Sequence, residues 1–233
     1  MGVRLDGLLP GELDEEQAEV YRAITGGARA SGPRAFPLTD QEGRLRGPFN
    51  AMLLSPPVGL AAQALGAAVR YSSSLSDRVR EMAILAVAAH WGSAFEREAH
   101  EAVGRTSAGL AESEMAALRS GRMPELTEPA ERAALRATRA LLRHGTVSDN
   151  EYADAVAATG ERGVFELTTL VGYYSMLALQ LRVFVGEGST SAFDASRSQP
   201  LGNGLTAHSA PSILNSSSHN ESSFHSSKES RES

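Results

Sequence analysis

An all-α fold, one helical bundle followed by a polar tail, is what this sequence predicts, and three observations carry the prediction. Apolar residues recur at helical spacing along most of the stretch from Glu12 to Val185. No segment of useful length alternates apolar and polar residues as a half-buried strand would. From Gly188 onward the chain turns Ser-rich with few apolar groups, so it cannot offset the entropy of ordering itself. The expected organisation is an N-terminal helix and arm over 1–34, a helical domain over 35–187 and a disordered tail over 188–233.

Glu12 to Thr25 places Leu13, Ala18, Val20, Tyr21 and Ile24 on a helical face and stops at Gly26 and Gly27. Arg29 to Pro48 is rich in Gly and Pro and predicts an irregular arm. Leu53 to Tyr71 predicts a helix with Val58, Ala61, Ala62, Leu65, Ala68 and Val69 on one face. Ser76 is a good N-cap for a central helix through His90, with Asp77 in its first turn. Gly92 interrupts that helix, and Ser93 followed three residues later by Glu96 has the form of a capping box that starts another. Further helices are expected over Ala111 to Gly121, Pro129 to His144, Ser148 to Ala158 and Gly163 to Val185.

The last of these is nearly long enough to cross a bilayer. Glu166, Gln180 and Arg182 lie within it, and a charge near the bilayer centre costs about 3 kcal/mol, so a buried core helix is the expectation. The net charge is −6 and the basic residues are scattered, which predicts no nucleic-acid partner. The N-terminal segment has no apolar core of a secretion signal, so a cytoplasmic location is expected and the Asn215 and Asn220 sequons carry little meaning. With no cysteine among 233 residues, disulfides, thiolate metal sites and a resident dithiol couple are excluded, leaving His and carboxylates for acid-base or metal chemistry.

Those groups concentrate in SDRVREMAILAVAAHWGSAFEREAHEAVG, from Ser76 to Gly104. Were the helix continuous, Ser93, Glu96 and His100 would fall within about 60° of one another, with Glu81 at the edge of the same arc. Glu96 and His100 are four residues apart, close enough for a carboxylate to hold the imidazole in one tautomer, and Glu81 could bond the other ring nitrogen. Each residue also has a structural explanation. Glu96 can be the reciprocal half of the Ser93 capping box, Glu81 a surface ion pair with Arg78 or Arg80, and His100 a core histidine bonded to a carbonyl. Neither HExxH nor a Glu with ExxH is present, so no metal site is expected; no phosphate loop, nucleotide fingerprint or GxSxG elbow occurs, so no cofactor is expected either.

The same stretch resembles the carboxymuconolactone decarboxylase and alkylhydroperoxidase D-like superfamily. The redox branch of that superfamily carries a Glu, a CxxC beginning twelve residues on, and a His four residues after the second Cys; here Glu81, Ser93, Glu96 and His100 occupy those positions. AFPLTDQEGRLRGPFNAMLLSPPVG (Ala35 to Gly59) looks like the family's lead-in and FELTTLVGYYSMLA (Phe165 to Ala178) like its closing helix, so the likeness extends from about Leu5 to Glu187. It implies an alkylhydroperoxidase D-like bundle that assembles as a homo-oligomer, commonly a trimer or hexamer, with a pocket between helices. It also implies a cofactor-independent decarboxylase of a small cyclic or lactone carboxylic acid. His100 would deliver a proton, Glu96 would orient or recharge it and Glu81 would hold its tautomer. Ser93, Trp91 and Tyr173 would line the pocket, and Arg97 or Arg80 would hold the substrate anion. An isomerase or cyclase using the same residues, and a catalytically silent assembly subunit, are the alternatives. A dithiol peroxidase is excluded by the missing cysteines.

Overall fold

The computed structural model describes residues 4–27, 29 and 36–184, and among them are seven α-helical elements. They are α1 (Glu15–Gly26), α2 (Pro56–Tyr71), α3 (Asp77–Trp91), α4 (Ala94–Thr106), α5 (Glu112–Arg119), α6 (Pro129–His144) and α7 (Asp149–Phe184). Tight 3-10 turns cover Pro10–Glu12 and Gly47–Leu54, so α2 begins at Pro56 rather than Leu53, after residues that pack as a 3-10 segment. Among the described residues no strand forms beyond an isolated antiparallel bridge between Thr39 and Leu45. The expected tail over 188–233, and the boundary before it, lie outside the described residues, as does most of the arm from 28 to 35.

The helix α3 is the axis of the bundle. It packs on α4, α5, α6 and α7, and Val79, Met82, Ala83, Ile84, Leu85, Val87 and Ala88 are all buried. A helix apolar on all sides has to be enclosed by others. Its two faces serve two cores: Val79, Ala83, Ile84 and Val87 join Ile24, Leu53, Leu167 and Leu170, while Met82 and Leu85 join Leu110, Met115, Leu118 and Leu135. Glu81 sits inside this run and is 1 % exposed.

The two helices expected from Ser148 onward both form, as the two arms of α7, and they meet at Gly160, whose φ of 72° and ψ of 167° no helix accommodates. The apolar length beyond the break buries Leu167, Leu170, Val171, Tyr173, Tyr174, Leu177, Ala178 and Leu181 in the protein. α7 is long and apolar enough to cross a membrane by length and composition.

Arg78, at the start of α3, ties three helices together. Its guanidinium donates to Glu131 on α6 at 2.7 and 3.2 Å, to Glu114 on α5 at 2.6 Å and to the Gly109 carbonyl at 2.9 Å. Arg78 is thereby engaged away from Glu81, which turns inward instead of forming the surface pair considered from sequence.

The corner between α3 and α4 sets the relation of their side chains. Gly92 ends α3 in the left-handed conformation, φ 62°, and Ser93 then caps α4, its Oγ accepting the Glu96 N–H at 3.4 Å. A Cβ on Gly92 would meet no atom within 4 Å, so the cost of Gly92→Ala is conformational alone. That substitution should lower unfolding free energy by about 1–2 kcal/mol, as a shift of the urea midpoint at unchanged slope.

Candidate acid-base site

His100 projects from the second turn of α4 into the bundle and is 2 % exposed. Its Nδ1 lies 2.6 Å from Glu81 Oε2, which has crossed from α3. A carboxylate accepts, so Nδ1 carries the proton and Nε2 presents its lone pair in the neutral ring. Toward Nε2 come Arg70 Nη1 at 3.2 Å, from the last turn of α2, and Glu96 Oε2 at 3.5 Å, one helical turn before His100 on α4. Tyr174 of α7 completes the cluster, its ring edge-to-face with the imidazole at 5.1 Å and its hydroxyl 3.5 Å from Arg70 Nη1.

The capping box expected at Ser93 is only half made. The Ser93 N–H donates to the Ala88 carbonyl at 2.9 Å, so the Glu96 carboxyl has no reciprocal bond to make there. Glu96, 4 % exposed, faces His100 instead.

The two carboxyls on either side of the imidazole are in opposite electrostatic situations. Burial acts to raise both. At Glu81 it is overcome by His100, Arg70 and Arg80, and the carboxyl is held below the ordinary carboxylate range. At Glu96 burial prevails over His100, Arg70 and Arg29, so the group is pushed upward toward its neutral, proton-bearing form. Burial also raises the Tyr174 and Tyr173 phenols, which stay protonated. Burial works against the charge of Arg70, but Tyr174 and Glu81 outweigh it and the guanidinium is held cationic.

A second guanidinium, Arg29, lies close by. It donates to the Gln63 carbonyl at 2.9 Å, stands 3.5 Å from the Tyr173 hydroxyl and lies over the Phe49 ring at 5.1 Å. Gly66 makes the room: a Cβ there would fall 2.0 Å from the Tyr173 hydroxyl and 2.4 Å from Arg29 Nη2. On the Glu81 side, Glu81 Oε1, Arg70 Nε and Arg80 Nε have no hydrogen-bond partner among the described residues. All three residues line one recess of about 40 Å³, large enough for water and too small for an organic acid of several carbons.

The structure thus brings together Glu81, Glu96 and His100, with Ser93 at the helix start and Arg80 4.0 Å from Glu81. It does not bring Arg97 to them: that side chain is more than a third exposed and faces Glu98 at 3.6 Å. Trp91 lies edge-on to His90 at 5.2 Å rather than against His100, and Arg182 reaches its carbonyl at 3.4 Å. Both tyrosines of the pair are buried, and Tyr174 rather than Tyr173 stands against the imidazole, Tyr173 serving Arg29. Sequence reasoning missed Arg70 and Arg29; of Tyr173 and Tyr174, one of which is expected from sequence to point inward and the other to pack, it assigns Tyr173 to the site where the structure has Tyr174. A signal for Arg70 existed, since it is the lone charge in the helix PPVGLAAQALGAAVRY. Among the described residues no three His, Asp or Glu side chains are grouped to hold a metal ion; Glu81 and Glu96 flank opposite nitrogens, with Arg70 at Nε2.

A helical bundle carrying a Glu on one helix and a His on the next defines a class, and comparison with known proteins agrees. Residues 56–140 match the model of the carboxymuconolactone decarboxylase family. A crystal structure from Agrobacterium tumefaciens, of a protein of unknown function ascribed to AhpD-type antioxidant defence, superposes with a TM-score of 0.52 at 22 % identity, over 60 % of this chain and 95 % of that one. At that identity the likeness is one of fold. No curated protein matches the sequence.

The electrostatics predict opposite effects for two conservative substitutions. A carboxyl with a lowered pKa contributes stability above the ordinary Glu value that is lost as pH falls, so Glu81→Gln should cost about 3–5 kcal/mol at pH 7, the scale for breaking a buried pair. A carboxyl with a raised pKa contributes stability at low pH that is lost as pH rises through the folded value. Glu96→Gln should therefore melt no lower than wild type at pH 7 and lack the decline that wild type shows above the ordinary Glu range. Thermal melts from pH 4 to 8 read both.

Proposed function

We propose that the protein is a cofactor-independent acid-base enzyme, a decarboxylase of a small cyclic or lactone carboxylic acid. The observation that carries this reading is the buried imidazole with a depressed carboxyl on one nitrogen and a raised one toward the other, since such a split separates the acid from the base of a proton relay. The match of residues 56–140 to the carboxymuconolactone decarboxylase family model supports it as well.

In this reading the bond between the ring carbon and the carboxylate breaks, CO₂ leaves, and the electron pair passes into a delocalised enolate. Arg70, cationic and against Nε2, faces the developing negative charge, a role expected from sequence for Arg97 or Arg80. Glu96, bearing a proton, gives it to Nε2, and His100 passes it from Nε2 to the enolate carbon, which leaves the imidazole neutral and Glu96 as the carboxylate. Glu81 keeps the ring in one tautomer throughout. An isomerase or cyclase would use the same relay without loss of CO₂. The assembly, expected to be a trimer or hexamer, is part of the proposal, and the exposed Phe165, Leu179 and Val183 of α7 are apolar surface for subunit contact.

A silent subunit remains as the second reading, favoured by the small size of the recess beside Glu81. The test is a screen of purified protein for CO₂ release from small lactone acids and β-keto acids. Turnover should fall about 100-fold or more in Glu96→Gln and comparably in His100→Gln, with the double variant little worse than either. Proton exchange without CO₂ release would move the assignment to isomerase. Wild-type turnover in Glu96→Gln would remove Glu96 from the relay.

A further inference from the structure

A recess of about 170 Å³ lies between α3, α5 and α6. His90 on its edge is nine residues beyond Glu81, about 180° around α3, so the recess opens on the opposite side of that helix from the acid-base cluster. Its floor is apolar, from Ala86 and Leu118, and its rim carries the imidazole of His90 and three guanidiniums, Arg122, Arg139 and Arg143. The protein is otherwise acidic, with a net charge of −6.

These three arginines differ from their neighbours. Arg78, Arg105 and Arg119 on the adjoining segments each take a carboxylate. Around the recess the hydrogen bonds are to neutral oxygens: Arg139 donates to the Gly121 carbonyl at 2.6 Å and Arg122 to Ser120 Oγ at 2.9 Å. None of the three pairs with a carboxylate of the described residues. Arg139 is half-buried, and burial together with the charge of Arg143 pushes its pKa down, the signature of a cation without a counter-charge.

We propose that this recess is a second ligand site, taking a small organic anion whose carboxylate lies among Arg122, Arg139 and Arg143 and whose apolar body rests on Ala86 and Leu118. Guanidinium forks match a carboxylate in charge and shape, and the floor gives an apolar body a gain that a bare oxyanion lacks. The site is independent of the proposed decarboxylase, since it shares no residue with the His100 cluster.

The test is calorimetric titration of the full chain with benzoate and, separately, inorganic phosphate at low salt. Benzoate should bind saturably at one site per chain and more tightly than phosphate. Arg143→Gln, an exposed position whose change spares the fold, should weaken benzoate by about tenfold or more, and Arg139→Gln should do the same. The proposal is overturned by any of four results. These are no saturable binding up to about 20 mM, phosphate binding as well as benzoate, binding that survives both substitutions, or a salt-sensitive self-association lost in Arg143→Gln, which would make the recess a seat for an acidic side chain of a second copy.

Discussion

Two carboxyls, an imidazole and a guanidinium can share the interior of a helical bundle only where each charge has a counter-group within reach, because an isolated buried ion costs several kcal/mol. The contact of 2.6 Å between Glu81 and His100 meets that condition and gives α3 and α4 a fixed mutual register. Arg70 from α2 and Tyr174 from α7 close on the same imidazole, so four helices are referred to one ring. Glu96 is the member for which the condition is least well met. Its carboxyl is accommodated by taking up a proton rather than by pairing, and that makes it chemically available.

Local backbone chemistry delivers these side chains. A left-handed Gly92 turns the chain within one residue, Ser93 Oγ accepts the Glu96 N–H in the first turn of α4, and the Ser93 N–H is already bonded to the Ala88 carbonyl. The carboxyl that a capping box would hold at the helix mouth is thereby left to point down the helix at His100. Remote from the chemistry, Arg78 locks α3 to α5 and α6, and Gly66 leaves the space in which Arg29 reaches Tyr173. The site rests on rigid helices rather than loops, as a preorganised constellation requires.

Set beside the thiol-bearing arrangement that its motif resembles, the chain keeps the Glu and His and replaces both sulfurs, one by a capping hydroxyl and one by a carboxyl. A buried carboxyl with a raised pKa can give and recover a proton as a thiol can, but it cannot pass through a disulfide. The exchange leaves a group that can carry a proton and removes the thiols that redox chemistry needs.

The sequence by itself determined the helices, the turn at Gly92, the enclosure of α3 and the membership of Glu81, Glu96 and His100 in one group, because periodicity and cap residues are local properties that spacing displays. It also excluded thiol chemistry by composition. Only the tertiary structure decided which groups approach from other helices. Arg70 and Tyr174 are about a hundred residues apart, and no spacing rule relates them. Likewise Arg97 was a reasonable anion holder by type, yet the rotation of α4 that buries Glu96 and His100 turns Arg97 to Glu98 and solvent. The direction of each carboxyl's pKa was beyond the sequence for the same reason: it depends on how many cations surround a buried group, and those cations come from elements distant along the chain.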